Sequence, residues 1–127
     1  PHGFESLVAF VHNNTSPDEK IFVWGERMDL YVYANRDFAS RFVFLDPVSG
    51  YPHATGIPPK PFPGAMHMLL SDLFRDNPAI IIDAHNHSAI DYSAMPIERY
   101  PELSRFLKSH YTFIGSIEGF TIYRKKP

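Results

Sequence analysis

The chain has 127 residues, of which 44% are hydrophobic and 20% charged, and twelve basic against fourteen acidic side chains give a formal charge of −2. These values are typical of one soluble globular domain and exclude a disordered chain. The charge lacks the basic excess of nucleic-acid-binding proteins, and without cysteine the chain has no disulfide, thiol nucleophile or zinc knuckle.

The first third of the chain predicts a helix, a strand and a second helix. The first helix has an apolar stripe at helical spacing, formed by Phe4, Leu7, Val8 and Val11. The run Ile21–Trp24 is apolar throughout, which is typical of an interior parallel strand that is buried on both faces. Residues 26–34 predict a short helix that turns Met28, Tyr31 and Val32 inward.

The middle of the chain predicts a second strand followed by a long loop. The strand is predicted at Arg41–Asp46. Six of the twelve prolines then fall between residues 47 and 63, and this density excludes regular structure there. A loop of this length in a compact domain is often functional or mobile, and the competing interpretation, a stiff surface excursion without a ligand, is the favoured one.

The last half of the chain predicts two more helices and three more strands. Gly64 precedes a helix whose buried face is Met66, Leu69, Leu70 and Leu73. A third apolar strand follows at Ala79–Ala84. Pro101 suits the first turn of a helix, and the strands Tyr111–Ile117 and Phe120–Arg124 flank a two-residue Glu118-Gly119 turn, which indicates a β-hairpin. We therefore expect one α/β domain over residues 1–127, a three-layer sandwich with a mostly parallel sheet and a C-terminal antiparallel β-hairpin.

Polar and aromatic side chains are predicted at the carboxyl ends of the parallel strands, where ligands collect in open α/β sheets. The candidates for binding a ligand there are Trp24, Glu26, Asp46, Asp83 and His85. An indole beside carboxylates suits a sugar or another polar substrate, whereas in the competing interpretation Trp24 is core and Glu26 caps a helix. Arg36 and Arg41 are candidates for binding a phosphate, or for holding their loop to nearby carboxylates.

The segment Asp83-Ala84-His85-Asn86-His87 is the sharpest local motif. Two histidines two residues apart can reach one metal, which would make the chain a small stand-alone α/β enzyme or a metal-dependent hydrolase. The motif is similar to the start of amidohydrolase barrels, but only forty residues follow His87 and such a barrel needs about 200 or more. We therefore predict no bound metal or other cofactor, with His85 and His87 as weak candidates, and no catalytic residue.

Three segments together resemble the C-terminal soluble domain of membrane-bound bacterial glycosyltransferases related to protein mannosyltransferases and aminoarabinose transferases. They are residues 13–25, which end in Ile21-Phe22-Val23-Trp24-Gly25, residues 30–42, and residues 76–82 with the closing strands around Tyr111 and Gly119–Arg124. The resemblance implies a parent enzyme that transfers a sugar from a polyprenyl-phosphate carrier. Its catalytic acid would lie outside this chain, so no catalytic residue is carried over.

The same resemblance implies where the chain lies and what it contacts. It would be a non-catalytic domain on the extracytoplasmic, periplasmic face of the bacterial inner membrane, bound to the membrane part of the same polypeptide. It would shape the access of a glycan or lipid-linked sugar acceptor. The chain has no apolar run of about 20 residues. It begins at Pro1 and not at a methionine, which is typical of a processed protein or an excised fragment, and we expect the fragment. The remaining alternative is a protein-interaction module anchored by Tyr51 and Phe62.

Overall fold

The structure is a computed structural model of the chain, and it describes residues 3–50, 60–88 and 92–127. The α-helices within these ranges are α1 (Glu5–Asn14), α2 (Met28–Ala34), α3 (Asp46–Ser49), α4 (Ala65–Asp76) and α5 (Pro101–His110). The strands in the same ranges are β1 (Ile21–Trp24), β2 (Ile80–Asp83), β3 (Tyr111–Ile117) and β4 (Phe120–Lys125). Helices connect β1 to β2 and β2 to β3, and the fold is mixed α/β.

The described strands form one sheet in the order β1-β2-β4-β3. β1 and β2 pair in parallel, whereas β4 pairs antiparallel with both β2 and β3. The prediction of a mostly parallel sheet is therefore wrong. β3 runs in the same direction as β2, since both are antiparallel to β4. The two strands are not neighbours, because the chain reverses at Glu118 and Gly119 and β4 lies between β2 and β3.

Alternate residues of the buried strands point to opposite faces of the sheet and supply two separate hydrophobic clusters. One cluster joins the strands to α4 and α5 and contains Phe22, Trp24, Ile81, Leu69, Leu73, Leu103 and Leu107. The other joins them to α1 and α2 and contains Ile21, Val23, Ile80, Ile82, Leu7, Val11 and Leu30. We call these two sides the α4–α5 face and the α1–α2 face.

The predicted strand at Arg41–Asp46 does not form. The backbone amides of Ser40 and Arg41 donate to the carboxylates of Asp76 and Asp72 in α4, at 3.0 Å each, and Ser40 has a φ of 109°. The segment is thus bound to a helix and not to a neighbouring strand. Asp46 begins α3, so the prediction that residues 47–63 lack regular structure is wrong for residues 47–49, and residues 51–59 lie outside the described ranges.

β1 is the terminal strand of the described sheet, whereas the sequence predicts an interior one. All four of its residues are nevertheless buried. The amide of Ile21 donates to the carbonyl of Asp37 at 3.0 Å, and the amide of Ala39 donates back to the carbonyl of Ile21 at 2.8 Å. The bridge between Ile21 and residues 37–39 covers the start of the outer edge of β1. A terminal strand that is covered in this way can have the apolar sequence that is typical of an interior strand.

Helix α2 turns one of its three predicted residues inward, Tyr31, and leaves the other two outside. Leu30, Tyr31 and Ala34 are buried, whereas Met28 and Val32 are exposed. The Tyr31 hydroxyl accepts a hydrogen bond of 2.8 Å from the amide of Val23. The buried Tyr31 side chain therefore provides an acceptor for a backbone amide of β1. The spacing of apolar residues in the sequence does not indicate this hydrogen bond. Separately, none of the described helices has the length and apolarity needed to cross a bilayer.

Candidate functional site

Glu26 follows β1 at the carboxyl end of the sheet and is almost fully buried. Its carboxylate accepts a hydrogen bond of 3.2 Å from the amide of Leu45, and its own amide donates to the Ser88 hydroxyl at 2.7 Å. Burial raises the pKa of Glu26, the Leu45 amide opposes the rise, and the charge of Asp46 adds to it. Glu26 thus connects β1 to two different loops.

Asp46 and Ser49 of α3 meet Tyr92 on the α4–α5 face. The Tyr92 and Ser49 hydroxyls share a hydrogen bond of 2.9 Å, and the Tyr92 hydroxyl also lies 3.4 Å from a carboxylate oxygen of Asp46. Burial raises the pKa of Tyr92, so the hydroxyl stays protonated at neutral pH. The sequence analysis missed Tyr92 and Ser49, because neither belongs to a recognisable motif.

Asp83, the last residue of β2, is buried and accepts three hydrogen bonds. One carboxylate oxygen accepts from the amide of His85 at 3.0 Å and lies 2.9 Å from the Nδ1 atom of the His85 ring. The other oxygen accepts from the amide of Ile97 at 2.9 Å. Asp83 therefore positions two short 3₁₀ turns, His85–His87 and Ile97–Arg99, above the strand ends.

The two histidines of the motif do not face a common site. The His85 ring contacts Asp83, whose neighbour in the sheet register is Trp24 on the α4–α5 face. The His87 ring packs on Phe120 of the α1–α2 face, with ring centroids 4.7 Å apart. The two imidazoles therefore have separate neighbours, and these contacts give no support to the interpretation in which both reach one metal. Among the described residues no group of three or more His, Cys, Asp or Glu side chains could hold a metal ion.

Trp24 is inaccessible to a ligand. Its side chain is 0% exposed, its indole Nε1 donates to the carbonyl of Met95 at 2.8 Å, and its ring contacts those of Tyr92 and Tyr100 edge to face. The interpretation of Trp24 as a platform for a sugar is wrong because the segment that contains residues 92–100 covers it. The competing interpretation of Trp24 as a core residue is the correct one.

Arg36 and Arg41 lie away from the carboxyl ends of the strands. Arg36 is buried, and its guanidinium donates to the Thr15 hydroxyl and to the carbonyl of Asn35, just after α2. Arg41 forms an ion pair of 2.8 Å with Asp72 in the C-terminal half of α4, the helix that leads to the start of β2. Neither arginine joins Glu26, Asp46, Asp83 and His85, so the predicted site is divided among three places.

Of the two predicted anchors of a protein-interaction module, Phe62 lies within the described residues and Tyr51 does not. Phe62 is exposed, and its amide donates to the carbonyl of Pro47 at 2.8 Å, which brings the two ends of the proline-rich segment together. Tyr51 lies outside the described residues.

A groove of about 490 Å³ opens on the other half of the α4–α5 face, between α5 and the β3–β4 pair. Its volume lies in the range of small-molecule sites. The described residues that line it are Ile97, Glu98, Ser104, Leu107, Lys108, Tyr111, Phe113 and Tyr123. Sequence reasoning did not find this groove, because its walls come from a helix and a strand pair whose contact is purely tertiary.

Comparison of the chain with protein-family models, with curated proteins and with solved structures gave no significant match.

Proposed function

We propose that this chain is a non-catalytic extracytoplasmic domain of a membrane glycosyltransferase that transfers a sugar from a polyprenyl-phosphate donor. The resemblance of residues 13–25, 30–42 and 76–82 to such domains supports the family. The proposed location is the periplasmic face of the bacterial inner membrane. The proposed partners are the membrane part of the same polypeptide and a glycan or lipid-linked sugar acceptor, whose access the domain shapes.

The observation that carries the non-catalytic role is how the acidic groups at the strand ends are used. Asp83 accepts from the amides of His85 and Ile97, and Glu26 accepts from the amide of Leu45. Each of these carboxylates is buried, and each holds a loop above the sheet. Removing such a partner leaves a buried amide unsatisfied, so these positions are required for the architecture whatever ligand the domain binds.

The same proposal includes the layer arrangement of the fold and its C-terminal β-hairpin. A three-layer sandwich, closed by a C-terminal β-hairpin, is supported by the two hydrophobic clusters and by the antiparallel pairing of β3 with β4. Such an arrangement leaves the outer edge of β3 and the adjacent groove exposed. It would therefore present one half of the α4–α5 face to an acceptor.

A second candidate is a small hydrolase that uses the Asp83–His85 pair. A carboxylate that hydrogen-bonds Nδ1 of a partly exposed imidazole orients the ring, and Nε2 then remains the nitrogen that exchanges a proton. The side chain of His85 is 18% exposed. Among the described residues this pair is the one observation that favours catalysis, so the test of the proposal is directed at it.

We expect the isolated 127-residue chain to show no turnover that depends on His85. The assay is hydrolysis of p-nitrophenyl phosphate, bis-p-nitrophenyl phosphate and p-nitrophenyl acetate, with EDTA or with added Mg²⁺, Mn²⁺ or Zn²⁺. The wild-type rate should equal that of His85→Ala. His110→Ala is the matched control, since His110 is an exposed histidine of α5 whose ring contacts Phe74 and Phe106. Turnover that His85→Ala removes and His110→Ala retains would establish the hydrolase instead.

A further inference from the structure

An aromatic pair, one exposed ring and one half-buried ring, forms one wall of the groove between α5 and the β3–β4 pair. Phe113 and Tyr123 lie opposite each other in the register of the two strands. Their ring centroids are 5.9 Å apart at an interplanar angle of 61°, and Phe113 is 63% exposed. The strand pairing fixes the backbone of both residues, so a ligand that stacks on the rings has to order only their side chains. The electron-rich face of such a ring attracts the C–H groups of a sugar.

The polar groups of the groove have no partners within the described part of the chain. The side chains of Glu98, Ser104, Lys108 and Tyr123 line the groove, and none of them makes a hydrogen bond or ion pair with a described residue. A carboxylate only accepts hydrogen bonds, an ammonium group only donates them, and the two hydroxyls do both. Sugar hydroxyls both donate and accept, so they can satisfy all four groups.

The charges of the groove do not select a charged ligand. Glu98 and Lys108 contribute one formal charge of each sign to the lining. Burial, with the charges of Asp83 and Glu98, raises the pKa of Tyr123, so its hydroxyl remains a hydrogen-bond donor at neutral pH. A ligand that is neutral, rich in hydroxyls and apolar on one face matches this lining better than a phosphate or a carboxylate.

The carboxyl ends of β1 and β2 differ from the groove in the exposure of their aromatic ring and in the hydrogen bonding of their polar side chains. Trp24 there is buried, and the carboxylates of Glu26 and Asp83 are already bonded to backbone amides. The groove thus combines an accessible ring with unpartnered polar groups, a combination that the predicted ligand site lacks.

We propose that the groove between α5 and the β3–β4 pair binds a neutral sugar unit, with Phe113 as the stacking platform and Glu98, Ser104, Lys108 and Tyr123 as hydrogen-bonding groups. That this sugar belongs to the acceptor glycan rests on the proposed function, whereas sugar binding itself does not.

The test is a titration of the ¹⁵N-labelled chain with methyl mannoside, methyl galactoside and N-acetylglucosamine, followed by amide chemical shifts. We expect saturable shifts at residues 97–98, 104–108, 113 and 123, with a Kd of roughly millimolar size for at least one sugar. Phe113→Ala should raise that Kd about fivefold or more. Phe74→Ala removes a ring that is 71% exposed outside the groove, and it should change the Kd less than twofold.

Three outcomes would overturn the proposal: no saturable shift with any of the three sugars, shifts centred on Glu26 and His85, or equal effects of the two phenylalanine variants. Because Phe113 is exposed, its replacement leaves the core intact, and the dispersion of the amide spectrum verifies this. Sugar binding without sugar transfer by the complete gene product would retain this inference and overturn the proposed function. Transfer without sugar binding would do the reverse.

Discussion

Replacing Asp72 with alanine is expected to lower the free energy of unfolding by about 3 kcal/mol at pH 7. Asp72 is 0% exposed. Its carboxylate accepts from the Ser40 hydroxyl, the Arg41 amide and two nitrogens of the Arg41 guanidinium, at 2.8–3.0 Å. The variant leaves a buried hydroxyl and an amide without an acceptor, and it weakens the attachment of the loop at residues 40–42 to α4, where the bond from the Ser40 amide to Asp76 remains. Chemical denaturation of the two proteins measures the difference.

The same carboxylate makes stability depend on pH in a defined window. Hydrogen bonds from Arg41 outweigh the effect of burial and lower the pKa of Asp72 to about 2. Because the pKa in the folded state lies below the unfolded value of about 3.9, this stability is present above pH 4 and is lost as the pH falls towards 2. The loss specific to Asp72 is roughly 2 to 3 kcal/mol, and it should be absent in Asp72→Asn.

Asp37→Asn is the control for both measurements, because Asp37 is exposed and its carboxylate makes no hydrogen bond with a described residue. We expect it to change the free energy of unfolding by less than about 0.5 kcal/mol. An equal effect of Asp37→Asn and Asp72→Asn, or a wild-type pH profile retained in Asp72→Asn, would contradict the network around Asp72.

Replacing Trp24 with alanine is expected to cost about 3 to 5 kcal/mol of stability. The change opens a cavity between the sheet and the segment 92–100, and it leaves the carbonyl of Met95 without its indole donor. Trp24→Phe should cost less, about 2 kcal/mol, because it preserves most of the ring volume and loses the hydrogen bond. Thermal unfolding followed by circular dichroism ranks the variants.

Trp24 is the one tryptophan of the chain, so its fluorescence tests the same assignment without a substitution. Burial predicts a blue-shifted emission that iodide does not quench. Phe44→Ala, at an exposed aromatic position, should be nearly neutral for stability. Ready quenching by iodide, or a Trp24→Ala variant as stable as Phe44→Ala, would restore Trp24 as an accessible platform at the strand ends.

The elements with strong apolar patterns could be predicted from the sequence. Strand β1 is hydrophobic throughout, and β2 is hydrophobic up to its last residue, Asp83. The burial of both strands follows from that pattern. Pro101 is in the first turn of α5, as its fixed φ favours, and Leu103 and Leu107 form the buried face. Local patterns were sufficient here because burial and propensity favour the same structure.

The order of the strands and the loop at residues 40–46 could not be predicted, because long-range contacts determine them. Nothing local indicates that β4 pairs with β2 and so displaces β3 to the edge. Arg41–Asp46 has an apolar centre that is compatible with a strand, but carboxylates of α4 bind the amides of Ser40 and Arg41. Such a bond between distant residues overrides a weak local preference.

The candidate site was predicted only in part, for the same reason. The position of Asp83 and His85 around the end of a predicted strand was sufficient to place them at its carboxyl end, where they contact each other. The sequence did not distinguish a ligand-binding tryptophan from a buried one. The pairing of Phe113 with Tyr123 depends on a register shift between Phe113 and Gly115, so counting back from the turn would have paired Tyr123 with Ile114.

The proposed function is tested most directly by sugar transfer in membranes from cells that express the complete gene. The donors are polyprenyl-phosphate-linked mannose, glucose and aminoarabinose, each radiolabelled in its sugar, and membranes from the deletion strain provide the background. We predict gene-dependent transfer from one of these donors, and transfer should persist in His85→Ala. Transfer equal to that of the deletion strain with all three donors, or its loss in His85→Ala membranes that contain the protein in normal amount, would contradict the proposal.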